Sequence, residues 1–279
     1  MQSGIYTKQF NGGPRDSVGI VRVGRDEGAQ MQFNLLGSFE VLGNGRPLTP
    51  TAAKPRQVLA MLATNVGAMV SAEQLIDELW PVGPPSSAKT TVQTYIYHLR
   101  KLLSPGDACS AGKEVLCTRP AGYVLAVPRD AVDLFRFQRL LSVGRAALRR
   151  NDPPQASDAL QEALSLWRGP MLADVACGPR LKGHSAYFEE QRIEALSLRI
   201  EADLETGRHR EIIGELRWLV ETHDLHEWLY VRLMQALHRA GRRSEALDVY
   251  RQLHRRLKEE LGLEPAVDAK QFHQLILAS

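Results

Sequence analysis

The sequence predicts a mainly α-helical protein in which a small α+β domain precedes an all-α domain. Strand-like alternation of apolar residues flanks three helix-period stretches in the first half, and every patterned stretch after Asp133 has helical spacing. A chain of 279 residues, 44% hydrophobic and 24% charged, suits two globular domains and excludes a disordered protein. No run approaches the roughly 20 apolar residues of a membrane span. Three scattered cysteines fit a reducing compartment, so a cytoplasmic protein without a membrane partner is expected.

Three segments are expected along the chain. Residues 1–30 hold six glycines and show no sustained period, which predicts a disordered or weakly ordered leader. Residues 31–128 carry the mixed pattern of the small domain, and residues 129–279 carry the helical pattern. Met31 opens the first patterned stretch, and both Met1 and Met31 stay open as translation starts.

The small domain begins with strands. Phe33 and Leu35 alternate with polar residues, Phe39 and Val41 do the same, and Gly-Asn-Gly follows at 43–45, which predicts two or three short antiparallel strands. Three helices are predicted next: Lys54–Asn65, Ser71–Trp80, and a third that is capped by Ser86 or Ser87 and ends near Leu103. A hairpin of two strands, Val115–Thr118 and Tyr123–Val127, is predicted after them. Strands, three helices and a terminal hairpin are the order of a winged helix-turn-helix.

The second half contains an internal repeat. Helices are predicted near 133–150, 155–168, 185–206, 209–222, 226–240, 243–261 and 266–277. Gly207 and Gly241 stand in similar surroundings (ETGRHREII and RAGRRSEAL) and lie 34 residues apart, which is the tetratricopeptide (TPR) period. The sequence therefore predicts an all-α, TPR-like domain.

The third predicted helix has a polar face without a carboxylate. The whole chain has a net charge of only +3, and the helical half balances 23 basic against 23 acidic residues, so the position of the charge matters more than its size. No acid occurs between residues 86 and 103. At 100° per residue one side is apolar, and the other side and its flank carry Thr90, Thr94, Tyr97, His98, Lys89, Arg100 and Lys101. Such a face suits a DNA major groove, with hydroxyl and aromatic groups towards bases and cations towards phosphates. An ordinary solvated face of an amphipathic helix is the alternative.

Basic residues outside this helix extend the same hypothesis. Arg119 lies in the turn of the hairpin, where a wing would reach the minor groove. Lys54 and Arg56 open the first helix and are expected to contact phosphates.

Seven short stretches of the sequence resemble a known protein family. Four stretches of the small domain resemble the OmpR-type winged helix: LLGSFEV at 35–41, QLIDELWP at 74–81, YHLRKLL at 97–103 and Gly122-Tyr123. Three stretches of the second half resemble the bacterial transcriptional activator domain: ALSLWRG at 163–169, GRRSEAL at 241–247 and EELGLEP at 259–265. Together, over about residues 31–279, the chain resembles the Streptomyces antibiotic regulatory protein (SARP) family.

The resemblance implies a cytoplasmic activator of antibiotic or secondary-metabolite genes. It would bind direct repeats at promoters and recruit RNA polymerase through its sigma factor. It implies base-facing roles for Thr90, Thr94, Tyr97 and His98, phosphate proximity for Trp80, Arg100 and Lys101, and a wing position for Arg119. OmpR-type relatives often carry Arg at the positions of Tyr97 and His98. The lower charge here implies a different base preference and cooperative binding as a homodimer or a pair on DNA.

Two other functions stay open from the residues. A TPR-type adaptor whose small domain docks another protein is the main alternative, and an enzyme is the weakest. No catalytic set, cofactor site or metal site is predicted. Residues 178–185 (GPRLKGHS) partly match a phosphate-binding loop, but His184 replaces the required Lys and no buried strand precedes it.

Overall fold

The computed structural model describes residues 31–104 and 115–279. The leader predicted at 1–30 and the greater part of the loop after the third helix lie outside the described residues. The predicted fold class is confirmed: a winged helix-turn-helix with two small sheets is followed by helices alone.

In the residues that the structure describes, the first half has two three-stranded antiparallel sheets and three α-helices. Its elements are β1 (Met31–Asn34), β2 (Glu40–Gly43), β3 (Arg46–Pro47), α1 (Ala53–Ala63), β4 (Val70–Ser71), α2 (Ala72–Leu79), α3 (Ala88–Leu103), β5 (Leu116–Arg119) and β6 (Gly122–Leu125). The sheet orders are β1-β2-β3 and β4-β6-β5. The alternation predicted at the start is confirmed, since Phe33 pairs with Val41 and both are fully buried. The wing hairpin β5-β6 joins α2 through β4, because Ser71 pairs with Gly122 and also caps α2.

Seven α-helices make up the described part of the second half. They are α4 (Asp133–Arg149), α5 (Pro153–Ser165), α6 (Pro179–Glu205), α7 (His209–Thr222), α8 (Glu227–Arg239), α9 (Arg243–Glu260) and α10 (Val267–Ala278). None of the helices in the described ranges is long and apolar enough to cross a membrane.

The 34-residue repeat corresponds to two identical helix ends. Gly207 (φ +80°) and Gly241 (φ +76°) each follow a helix in the left-handed region. The next residue in each case, Arg208 or Arg242, donates its backbone N–H to a carbonyl five residues back, at 2.9 Å. This is the Schellman C-cap, and it reverses the chain into an antiparallel helix pair. The sequence signal therefore reports a real structural period.

The described ranges form two hydrophobic cores, and the first one contains residues of both halves. Phe33, Leu36 and Leu59 of the first half share it with Phe137 and Leu172 of the second, all at most 2% exposed. The second core lies among α7 to α10 and the end of α6, where Ile200 and Leu204 belong to it. The long helix α6 thus contributes to both cores, and the first half packs against α4 and α6.

Backbone hydrogen bonds also cross between the two halves. The N–H groups of Arg168 and Leu172 donate to the carbonyls of Leu36 (2.7 Å) and Leu35 (3.0 Å). In the other direction the buried Asp133 carboxylate accepts the N–H groups of Leu35 and Leu36 at 2.8 and 2.9 Å. The segment after β1 therefore satisfies its backbone through the helical half.

The burial of Asp133 predicts a specific pH dependence of stability. Desolvation raises the pKa of Asp133 from 3.8 to about 6, although the Leu35 and Leu36 N–H groups and the Arg168 guanidinium oppose the rise. A carboxyl with a raised folded-state pKa contributes stability that is fully present below about pH 4 and lost as the pH rises through about 6. Relative to Asp133→Asn, the wild-type free energy of unfolding should fall by about 3 kcal/mol over this window. Urea titrations of the wild type and Asp133→Asn between about pH 4 and pH 8 measure this difference in unfolding free energy. A difference that stays constant over this pH range would contradict the prediction.

Candidate nucleic-acid interface

The helix α3 is anchored by one apolar side and leaves the other side exposed. Ala88, Val92, Ile96, Leu99 and Leu103 are buried, at i, i+4, i+8, i+11 and i+15. They pack α3 against α1 and α2. The helix follows α2 after a short loop, and α2 itself begins with a capping box between Ser71 and Gln74. This is the relation of the two helices in a helix-turn-helix.

The exposed side of α3 holds the residues predicted to face bases. Thr90, Thr94, Tyr97 and His98 are all exposed, Tyr97 by 63%. The rings of Tyr97 and His98 meet edge to face with centroids 5.5 Å apart, so the two side chains form one aromatic patch. The Thr94 hydroxyl donates to the Thr90 carbonyl at 3.0 Å, which leaves its methyl group and its acceptor lone pairs for a ligand.

The cations of α3 flank this patch. Lys89 and Lys101 are exposed, and no acid lies on the helix. One carboxylate from α2 acts on Lys89: the pKa of Glu73 is lowered by its own backbone N–H, by the Ser71 hydroxyl and by the charge of Lys89. Phosphates would therefore meet an exposed lysine at the end of α3 and a partly balanced lysine at its start.

Arg100 links α3 to the wing. Its guanidinium donates from Nε to the Leu116 carbonyl at 2.9 Å and from Nη2 to the Thr118 hydroxyl at 2.5 Å. The wing turn places Arg119 opposite Gly122, and Arg119 is exposed. The helix α3 and the wing are thereby held as one surface, with Arg119 exposed at the wing turn.

The remaining predicted residues lie at the start of α1 and the end of α2. The Lys54 ammonium donates to the Leu79 carbonyl at 2.9 Å and lies 4.4 Å from the centre of the Trp80 ring, so these two predicted phosphate contacts are neighbours. Arg56 donates to the Pro50 carbonyl and forms an ion pair with Asp174 of the helical half at 2.8 Å. The structure thus places Arg56 at the contact between the halves.

Sequence reasoning missed three carboxylates that join the two halves, of which Glu78 and Asp133 are buried and Asp174 is exposed. Glu78, Asp133 and Asp174 each accept backbone N–H groups across this contact. One signal was available: α6 begins with Gly178-Pro179 and has neither a capping side chain nor an acid in its first turn. A helix start without a local cap requires an acceptor from elsewhere in the chain.

Comparison with known proteins agrees with this architecture. Residues 45–125 match the family described as "Transcriptional regulatory protein, C terminal", and residues 132–277 match the "Bacterial transcriptional activator domain". The regulatory protein DnrI of Streptomyces peucetius is 41% identical over 250 residues, which cover 88% of this chain and 92% of DnrI. The chain belongs to the SARP family. The transcriptional regulator RedD of Streptomyces coelicolor is 36% identical over 90% of this chain and 71% of RedD.

A solved structure shows the same fold in a related regulator. Mycobacterium tuberculosis EmbR, in complex with a low affinity phosphopeptide, superimposes with a TM-score of 0.81 at 33% identity. The match covers 90% of this SARP chain and 66% of the EmbR chain. The relatives are transcriptional regulators, and the same order of domains is thus found in a protein of known structure.

Proposed function

We propose that this SARP protein is a sequence-specific DNA-binding transcriptional activator of antibiotic or secondary-metabolite biosynthesis, acting in the cytoplasm. The observation that carries the proposal is the acid-free, exposed face of α3 next to a wing that ends in Arg119. The family membership supports it, because the relatives DnrI and RedD are regulators. The proposal assigns no catalytic step and no cofactor to the chain.

In this proposal α3 lies in the major groove. Thr90, Thr94, Tyr97 and His98 contact base edges or thymine methyl groups, since they form the outer face of the helix. Lys89 and Lys101 neutralise phosphates on either side. Arg119 enters the neighbouring minor groove, where a narrow width concentrates negative potential.

The other predicted phosphate contacts lie outside α3 or are already bonded to neighbouring elements. Lys54 and Trp80 approach the backbone together, with the Lys54 charge held over the Trp80 ring. Arg100 and Arg56 already donate to the wing and to Asp174, so only their remaining N–H donors are assigned to phosphates.

The modest charge of the site favours binding in pairs. Few cations reach DNA from one chain, so two protomers on direct repeats, about one helical turn apart, would supply the affinity as a homodimer or a cooperative pair. The helical domain, with its balanced charge, is the part we assign to contact with a second protomer and with RNA polymerase through its sigma factor.

Paired substitutions in α3 test the assignment of base and phosphate roles. Lys101→Ala should weaken binding to all sequences alike and reduce the salt slope by about 1. Thr94→Ala should change the preferred base at one position, with a discrimination loss of about 1–3 kcal/mol there. Binding of both variants to a library of single-base operator variants measures the two effects.

Matched controls make this result specific. Thr222→Ala removes an equivalent intrahelical hydroxyl bond, because Thr222 donates to the Trp218 carbonyl at 3.0 Å, and Thr222 lies on α7 in the helical half. Lys182→Ala removes an exposed lysine of α6. Both controls should bind as wild type. An equal loss for Thr94→Ala on every sequence would refute its proposed base contact.

A further inference from the structure

The long helix α6 begins without a cap of its own. Its N-cap residue is Gly178, its first residue is Pro179, and its first turn contains no acid. The first N–H groups of a helix carry the positive end of its dipole and have no partner within the helix. In α6 these groups are buried or half-buried, so they need an acceptor from another element.

Glu78, at the end of α2, supplies that acceptor. Its Oε1 accepts the Gly178 N–H at 2.6 Å, and its Oε2 accepts the N–H groups of Arg180 at 2.8 Å and Leu181 at 3.3 Å. Glu78 is only 1% exposed, and Gln57 of α1 donates to its backbone carbonyl at 2.9 Å. The anion that the GPRLKGHS stretch binds is therefore a carboxylate of the same chain.

The contact is close enough to dictate the residue at 178. A Cβ added to Gly178 would lie 2.2 Å from the Glu78 carbonyl oxygen and 2.8 Å from the Glu78 carboxyl carbon. The end of α2 and the start of α6 thus meet with backbone against backbone. Such a contact leaves little room for one helix to slide or rotate on the other.

The contact between Glu78 and the start of α6 lies between the helix-turn-helix and the helical domain. The helix α2 packs on α3 and precedes it in the helix-turn-helix, whereas α6 contributes to both hydrophobic cores. Any rotation of the base-facing surface relative to the helical domain must therefore move the Glu78 carboxylate away from the α6 amides.

We infer that Glu78 is a positioning residue that fixes the angle between the recognition helix and the helical domain, and thereby selects the spacing of the two DNA repeats that a pair of protomers can occupy. This inference rests on the proposed function, because it concerns two protomers that contact each other on DNA. When that angle is fixed, only repeats in one helical phase allow both recognition helices to bind while the protomers touch.

The test uses the full chain with Glu78→Gln, and Asp77→Asn as its control. The Gln amide replaces one acceptor oxygen with a donor that opposes the α6 N–H groups. Asp77 precedes Glu78 on the same helix and is exposed. DNA containing one or two copies of a site selected by the wild-type protein from random DNA serves as ligand. The two copies are placed one helical turn apart, about 10.5 bp, or shifted by about half a helical turn.

The variant should keep single-site affinity and lose the preference for spacing. The ratio of affinities for in-phase and shifted two-site DNA should fall at least about tenfold in Glu78→Gln, because avidity of about 10²–10⁴ depends on geometry. Asp77→Asn should keep the wild-type ratio. An unchanged ratio in Glu78→Gln, or an equal loss on single-site DNA, would overturn the inference.

Amide exchange of the wild-type chain gives a second readout that needs neither DNA nor a folded variant. The N–H groups of Gly178, Arg180 and Leu181 should exchange as slowly as those in the interior of α6, and fast exchange at these positions would overturn the inference. Failure of the wild-type chain to bind any DNA would instead contradict the proposed function, while the exchange result would still report on Glu78.

Discussion

A fragment containing residues 31–128 alone is expected to lose cooperative unfolding. In the whole chain Leu35 and Leu36 are fully buried and Phe39 is 1% exposed, in a core that also contains Phe137 and Leu172 of the helical half. Each such side chain contributes about 1.5–3 kcal/mol when fully buried. Exposing several of them removes a large part of the roughly 5–15 kcal/mol by which a domain is stable.

Lost hydrogen bonds add to this effect in the fragment. The N–H groups of Leu35 and Leu36 lose the Asp133 carboxylate, and that of Phe39 loses Asp174. Urea unfolding followed by circular dichroism measures the outcome. A fragment of residues 31–205, which contains the whole first core, is the control and should unfold cooperatively. Cooperative unfolding of 31–128 at the midpoint of the full chain would contradict the shared core.

Replacing Gly122 by Ala is expected to have the second largest effect. A Cβ at Gly122 would lie 2.2 Å from the Val70 carbonyl oxygen and 2.8 Å from the Ser71 Cα. These are backbone atoms of β4, so the clash cannot be relieved by turning a side chain. The pairing of β4 with β6 should break, with a loss of about 3 kcal/mol in the free energy of unfolding.

The wing should then lose its position relative to α3. DNA affinity should fall more than stability alone explains at a temperature where the variant is still folded, because Arg119 depends on the same hairpin. Gly169→Ala is the matched control, since nothing lies within 4 Å of an added Cβ there. Wild-type stability and affinity in Gly122→Ala would contradict the role given to this close contact.

Local signals predicted most of the fold. Alternation around Phe33 and Val41, the cap at Ser71 and the period that relates Gly207 to Gly241 each depend on residues close in sequence. The structure bears out these features because turns, caps and helix faces are determined within a few residues.

The differences arise where partners are distant in sequence. The helix α6 was predicted from residue 185 but begins at Pro179, because its cap is Glu78, about 100 residues earlier. Leu36 follows Leu35 directly, and both are buried because the segment is covered by the helical half on the side that an isolated sheet would expose to water. A single sequence gives no direct signal for such coverage.

The candidate site shows the same division. Helical periodicity was enough to place Thr90, Thr94, Tyr97 and His98 together on the exposed side of α3. It could not show that Arg100 donates to the wing or that Arg56 pairs with Asp174, because both partners come from other elements. Periodicity and charge therefore predicted the exposed face of α3, but they did not predict which cations bond to other elements of the chain.

The salt dependence of DNA binding tests the central claim most directly. Lys54, Lys89, Lys101 and Arg119 are the cations that we count as full contacts with DNA from one protomer. Arg56 is paired with Asp174 and Arg100 is bonded to the wing, so neither is counted. With about 0.9 released counterions per phosphate contact, log K should fall against log salt concentration with a slope of about −3 to −4 per protomer. Fluorescence anisotropy with a selected operator between about 50 and 200 mM salt measures this slope. A flat salt dependence, or no binding to any DNA at low salt, would contradict the claim and favour a protein-docking role for the small domain.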